Sequence, residues 1–313
     1  MNHRSDLETP LPRSPDQGVG ALDGDFIKRC EGIRRAAARR PARRFLGRKV
    51  RRTLAGGTEA TDVHDYATGD DYRYVDWHRA ARLDELVSRQ YFGRESDDVH
   101  LLLDDSGSMN LGSTNGPSKF DYACQLAGTV GYLALANQDR VTVQGFSQKN
   151  GQPSERLWGR RAATSLWDRL NRLRAGAATT DLTSVAERFL ATNARPGLVL
   201  LFSDLLEPRG FAAAFDLLRN YGHELFITHI LGTTDVDPGN AGKVTMTDVE
   251  SRRRHGSLID GEDRENYRDI FAKFCASVDR YCAEYRLGVV RVLTNVPVEE
   301  AVERMLRFGR THF

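Results

Sequence analysis

"VHLLLDDSGSMN", residues 99–110, sets an almost unbroken aliphatic run directly against acids, hydroxyls and a glycine. A short apolar run bounded by turn residues is the pattern of a strand buried on both faces, as in a parallel sheet covered by helices. Further apolar strands are expected near 140–146, 197–203, 224–231 and 288–293. Helical periodicity falls between and after them, near 119–137, 163–174, 182–193, 210–221, 264–286 and 298–308. Strand followed by helix, repeated, predicts an α/β fold: a doubly wound, mostly parallel sheet flanked by helices. "KVTMTDVESRRRHGSLI", residues 243–259, breaks the alternation and reads as a small β insertion.

Outward toward the N-terminus the character changes. Residues 1–24 are polar and rich in Pro and Gly, the composition of a flexible tail. Residues 25–98 form an N-terminal extension, a basic helix followed by a clasp segment, and residues 99–313 form the main domain. In the extension, Ile27, Cys30, Ile33 and Ala37 recur at helical spacing until Pro41. Short strands and loops are expected over 45–98, with Gly56-Gly57 and Gly69-Asp70-Asp71 as turns.

With 40% hydrophobic and 28% charged residues and a net charge of +2, the 313-residue chain reads as an ordinary globular protein. The charge is uneven. Residues 28–52 carry twelve lysines and arginines against Glu31 alone. Clustered charge of this kind can serve nucleic acid or an anionic membrane. Phe45 is the one interleaved aromatic, however, so a solvated helix face docked on acidic surface elsewhere, or on an acidic partner, is the preferred reading and a nucleic-acid partner is not expected. The four cysteines form no CxxC pair and no zinc spacing, which suits reduced thiols in a cytoplasmic protein. No run has the ~18 apolar residues of a membrane span, and the N-terminus has no apolar signal core.

In an open parallel sheet, ligands bind outside the carboxyl ends of the strands. Asp104, Ser106 and Ser108 stand at such an end. "GAATTDLTS", residues 176–184, brings Thr180 and Asp181 to the start of a helix, and "LVLLFSDLLEP" ends a strand on Ser203 and Asp204. Carboxylate and hydroxyl oxygens suit a hard divalent cation, Mg²⁺ or Mn²⁺. A set built largely from neutral hydroxyls leaves the ion electrophilic toward an incoming carboxylate. The bland alternative for Asp104, Ser106 and Ser108 is an acidic turn that caps the next segment. Asp181 is read as a helix cap, and Asp105 as a solvated or salt-bridged acid pointing away from the ligands.

The order Asp104-x-Ser106-x-Ser108, then Thr180, then Asp204 resembles the metal-ion-dependent adhesion site of von Willebrand factor type A domains. That resemblance implies hydroxyl ligation by Ser106, Ser108 and Thr180, with Asp104 and Asp204 acting largely through water or hydrogen bonds. It also implies a last position open to a partner's Asp or Glu. Thr180 is chosen over Thr179 by aligning "TTDL" on the family's G-x-T-D-L, and Ala177-Ala178 stand where a second glycine is usual. Upstream, "GDDYRYVDWHRAAR" is similar to the hallmark run of the bacterial family of domain of unknown function 58. Gly69, Asp70, Arg73, Asp76, Trp77, Ala80, Ala81 and Arg82 carry the match, and the likeness extends over about residues 25–310. Many members of that family begin with membrane helices, and no such run occurs here. The resemblance implies a non-enzymatic adaptor working with a MoxR-type AAA+ ATPase in assembly or maturation of protein complexes. The hallmark run itself could form a binding surface; the favoured reading is a clasp, with Trp77 packed under the sheet and Arg73, Arg79 and Arg82 paired with acids.

Enzyme chemistry is the weaker reading. Asp104 stands where a nucleophile elbow needs glycine, Ser106 stands where an aspartyl phosphatase needs its second acid, and no P-loop occurs. A nucleic-acid-associated protein using the 28–52 arm, or a Mg²⁺-dependent hydrolase, are the alternatives.

Overall fold

The computed structural model describes residues 24–38, 60–67, 75–83, 85–91, 97–111, 116–146, 155–176, 181–193, 195–207, 210–236, 242–247, 254–259 and 261–308. The tail over 1–23, Thr180 and residues 39–52 of the basic stretch lie outside them.

The chain runs α1 (Gly24–Ala38), β1 (Ala60–Asp65), α2 (Trp77–Leu83), β2 (Val87–Tyr91) and β3 (Asp98–Leu103). It continues with α3 (Lys119–Ala136), β4 (Arg140–Gly145), β5 (Leu157–Trp158), α4 (Ala163–Arg172), α5 (Leu182–Thr192) and β6 (Leu198–Ser203). Then follow α6 (Ala212–Asn220), β7 (Glu224–Leu231), α7 (Thr233–Val236), β8 (Gly242–Thr247), β9 (Arg254–Ile259), α8 (Gly261–Glu284), β10 (Gly288–Leu293) and α9 (Val298–Phe308). Among the described residues no helix is long and apolar enough to cross a membrane.

The main sheet has six strands in the order β10-β7-β6-β3-β4-β5, all parallel except β5. This is a doubly wound α/β sheet of Rossmann-like order, in which the chain reverses direction of travel between β3 and β6. β3 and β6 are the central strands, as their continuous apolar runs require. Leu101 lies beside Val143 on one side and Leu200 on the other. Alternation divides them between two cores. Leu101, Leu103, Leu200 and Phe202 pack with Cys30 of α1, Ala127 of α3, Trp167 of α4 and Met305 of α9. Leu102, Val199 and Leu201 pack with Phe189 of α5, Phe215 of α6 and Val278 of α8.

α3 is enclosed for almost its whole length, including Lys119 at its start. Ser118 caps it, accepting the Asp121 N–H at 3.0 Å. The insertion at 243–259 is the antiparallel pair β8–β9. In the described part of the basic stretch, α1 sits on the main domain. Arg29 pairs with Glu299 of α9 at 3.0 Å, and the Tyr132 hydroxyl donates to Glu31 at 2.8 Å.

Three expectations need correction. Residues 77–83 are helical, and β5 was not foreseen, since a two-residue edge strand leaves no periodic signal. Trp77 does not pack under the sheet; it is 60% exposed. Val75 and Val87 are the buried residues there, because Asp76 N–H donates to Val87 O at 2.9 Å and turns Val75 inward and Trp77 outward. Arg79 does pair with an acid, Glu85, at 3.1 Å, while Arg73 lies outside the described residues. Finally, Asp105 is buried, which removes the solvated of its two expected settings.

Candidate metal centre

β3 ends at Leu103, but its ladder continues one residue further: Asp104 N–H donates to Phe202 O at 2.9 Å. That bond fixes Asp104 at the carboxyl edge, between the two strands where the sheet order reverses. One Asp104 carboxylate oxygen accepts the Ser106 N–H at 3.0 Å, closing an Asx turn. The other accepts the Ser203 hydroxyl at 2.5 Å. Ser106 then opens a 3₁₀ turn over Gly107–Asn110, which brings the Ser106 and Ser108 Oγ atoms to 3.0 Å from each other. Asp104, Ser106, Ser108 and Ser203 thus form one contiguous group of oxygens.

The group borders an open pocket of about 280 Å³, its mouth included. Asp104, Ser106, Ser203 and Glu207 line its polar side, and Phe146, Leu182, Leu205 and Leu206 its apolar side. Leu205 has a left-handed backbone, φ +57°, a conformation costing roughly 1–2 kcal/mol outside glycine. Side-chain acceptors hold it there: Leu205 N–H donates to Ser203 Oγ at 2.8 Å and Leu206 N–H to Asp204 Oδ1 at 3.1 Å.

Asp204 stands at the end of β6, next to this group, with its second oxygen engaged. It accepts Lys119 Nζ at 2.7 Å. Lys119 also donates to Asp235 at 2.9 Å, and the same Asp235 oxygen accepts the Gly232 N–H at 2.8 Å. Lys119 is 0% exposed and Asp204 1%. Burial alone would weaken the ammonium, but Asp204 and Asp235 outweigh it and hold Lys119 above the ordinary lysine range. Behind Asp204, His229 Nε2 lies 3.0 Å from the Asp204 carbonyl oxygen, and Arg291 donates to His229 Nδ1 at 3.2 Å. Since Nδ1 accepts, Nε2 carries the proton and the imidazole is neutral. Burial, with Arg291 beside it, pushes His229 down to about 4.

Asp104 has no such cation. Among the described residues no basic side chain pairs with it, and its partners are the Ser106 N–H and the Ser203 hydroxyl. Burial, with the Asp204 charge behind it, pushes its pKa well above the usual carboxylate range. A buried carboxylate in need of positive charge, flanked by neutral hydroxyls, fits a hard divalent cation. Among the described residues no three His, Cys, Asp or Glu side chains stand together as a metal group, so a site here has to be hydroxyl-rich.

Of the five residues singled out from sequence, Asp104, Ser106 and Ser108 stand together, and Asp204 adjoins them with its carboxylate given to Lys119 and Leu206 N–H. Thr180 lies outside the described residues. On either side of it, Leu182 lines the pocket and Gly176 N–H donates to Asp105 O at 2.6 Å. Asp181 caps α5, accepting Thr183 N–H at 3.0 Å and Ser184 Oγ at 3.1 Å. Sequence reasoning missed Ser203 as a partner of Asp104, and Lys119 and Asp235 altogether. The signal for Lys119 is its position: a cation in the first turn opposes the helix dipole, which favours acids there.

An uncharacterised protein of Mycobacterium tuberculosis, Rv1480, is 24% identical over 229 residues, covering 72% of this chain and 71% of that protein. Mb1516 of Mycobacterium bovis matches to the same extent. Among solved structures, BatB from Bacteroides thetaiotaomicron is 13% identical, with a TM-score of 0.41 over 68% of this chain and 98% of that one. An aerotolerance-related membrane protein from Bacteroides fragilis is 16% identical, with a TM-score of 0.40 over 68% and 99%. The family model described as protein of unknown function DUF58 spans residues 62–277, from β1 into α8, and the chain belongs to that family.

Proposed function

We propose that this chain is a non-enzymatic adaptor that captures an acidic side chain of another protein through Mg²⁺ or Mn²⁺. In this reading Asp104, Ser106 and Ser108 hold the ion with Thr180, while Asp204 acts through water or hydrogen bonds, in the order of the type A adhesion motif. The observation that carries it is Asp104: a buried carboxylate without a basic partner among the described residues, held by the Ser203 hydroxyl and the Ser106 N–H, with the Ser106–Ser108 hydroxyl pair beside it at an open pocket. When bound, the ion supplies a Lewis-acidic position that a carboxylate from outside can fill. The protein's own residues do the orienting. Ser203 and the Ser106 N–H fix the Asp104 carboxylate, and the 3₁₀ turn sets the two serine hydroxyls side by side.

The identity of the partner rests on the family resemblance: a MoxR-type AAA+ ATPase in the cytoplasm, with this chain recruiting complexes for assembly or maturation. Binding rather than turnover is also favoured by His229, the imidazole behind Asp204, whose two nitrogens are engaged by Arg291 and the Asp204 carbonyl. The test is capture of a purified MoxR-type ATPase by the full chain with and without EDTA, beside Ser106→Ala and Thr180→Ala. Capture lost on chelation and in both variants supports the reading. Capture that survives chelation but falls steeply with salt assigns binding to the basic 28–52 stretch instead.

A further inference from the structure

Lys119 is placed with unusual care for a residue at a helix start. Its N–H donates to Leu111 O at 2.9 Å, so the beginning of α3 is tied to the turn that carries Ser108. Its ammonium is buried and bridges two acids from different strand ends, Asp204 after β6 and Asp235 after β7. Asp235 is itself fixed, by the Gly232 N–H and by the Tyr267 hydroxyl of α8, which donates to its carbonyl at 2.9 Å. A buried ion pair is weak evidence for stability, since a well-packed apolar replacement is often as stable. Its consequence here is electrostatic. Among the described residues the Lys119 ammonium at the carboxyl edge is committed to Asp204 and Asp235, leaving Asp104 without it.

We propose that Lys119 sets the charge of the metal centre by holding Asp204 in an ion pair and so keeping that carboxylate out of the ion's own ligand set. Of the two carboxylates at the ends of β3 and β6, only Asp104 is then free to serve as a donor, and the loaded ion would keep a positive charge that an outside carboxylate satisfies. Lys119 is in this sense a positioning residue: it weakens resting metal affinity and strengthens dependence on an acidic ligand. The inference rests on the metal reading above and deepens it.

The test is Mn²⁺ titration of the full chain, by calorimetry and by the paramagnetic signal of the free ion, repeated in acetate as a minimal carboxylate probe. Lys119→Met combined with Asp235→Asn removes one charge of each sign and frees Asp204. It is expected to bind Mn²⁺ tighter by roughly ten- to hundredfold, the range of one charge-assisted hydrogen bond, and to lose the acetate enhancement shown by wild type. Asp235→Asn alone leaves Lys119 to Asp204 and is expected to bind Mn²⁺ several-fold more weakly. Circular dichroism and thermal melting without metal report whether each variant is folded. If the double variant does not fold, Asp235→Asn decides, and unchanged or tighter binding there overturns the proposal. Mn²⁺ binding by wild type with equal or weaker binding by a folded double variant overturns this inference alone. No Mn²⁺ binding by any form overturns the metal reading as well.

Discussion

The Ser203 hydroxyl, at the end of β6, donates to the Asp104 carboxylate, at the end of β3, over 2.5 Å. The same oxygen accepts Leu205 N–H at 2.8 Å. Ser203 therefore both aims the carboxylate and holds the left-handed Leu205 in place. Ser203→Ala removes both bonds in a buried setting. It is expected to lower stability by about 1–3 kcal/mol and to weaken Mg²⁺ binding about tenfold or more, because the carboxylate is no longer aimed. Urea unfolding measures the first effect and calorimetric Mg²⁺ titration the second. Unchanged metal affinity in a folded variant would leave Ser203 a purely structural serine.

What sequence reveals and hides here follows from range. β3 and β6 are legible because both faces of a central parallel strand are covered, so their runs stay apolar throughout. Asp104, Ser106 and Ser108 are legible because two-residue spacing at a strand end is a local pattern. Lys119 is not legible as part of the centre, since its partners are 85 and 116 residues away. Trp77 misleads for the opposite reason. Its size argues for burial, but one backbone bond from Asp76 to Val87 O gives that place to Val75 and Val87.

Metal loading is expected to stabilise the chain. An ion that binds only the folded state adds about 2.7 kcal/mol at a hundred times its dissociation constant. Thermal melting should therefore shift upward with Mg²⁺ or Mn²⁺ and return on addition of EDTA. Ser106→Ala, which deletes one hydroxyl of the Ser106–Ser108 pair, should melt at the same temperature with and without the ion. A full metal-induced shift in that variant removes Ser106 from the ligand set.

Packing between α3 and α4 turns on Gly128. A Cβ there would lie 2.1 Å from the Trp167 ring. Replacing glycine by alanine inside a helix ordinarily gains about 1 kcal/mol, whereas overpacking a core costs roughly 1–3 kcal/mol. The clash is with a buried ring rather than a flexible chain end, so the loss wins. Gly128→Ala is expected to be destabilising, and Trp167→Leu in the same chain to recover part of the loss. Chemical denaturation of the two single variants and the double variant gives the coupling directly. A stabilised Gly128→Ala would mean that α4 yields without cost.

Acid sensitivity should trace to imidazoles inside the sheet, of which His100 is the most enclosed from solvent after His229. His100 Nδ1 lies 2.8 Å from Thr142 Oγ1, and its ring meets Phe189 and His223 edge-on at 5.0 and 5.6 Å. Nε2 is buried with no hydrogen-bond partner among the described residues. Burial, then the nearby His223 and Arg156, push its pKa down to about 3. The unfolded chain takes up this proton near pH 6.5, while the folded chain does not until about pH 3. Stability is therefore fully present above pH 6.5 and falls by about 1.4 kcal/mol per unit as the pH drops through that window. Between pH 6.5 and 5 His100 alone should remove about 2 kcal/mol. His100→Gln abolishes the titration while retaining an amide to meet Thr142, so its stability should change less between pH 7.5 and 5 than that of wild type. His223 and His229 are also depressed by burial and should leave a residual slope. Parallel pH profiles for wild type and His100→Gln, measured by urea unfolding, would acquit His100 and move the acid response to other groups.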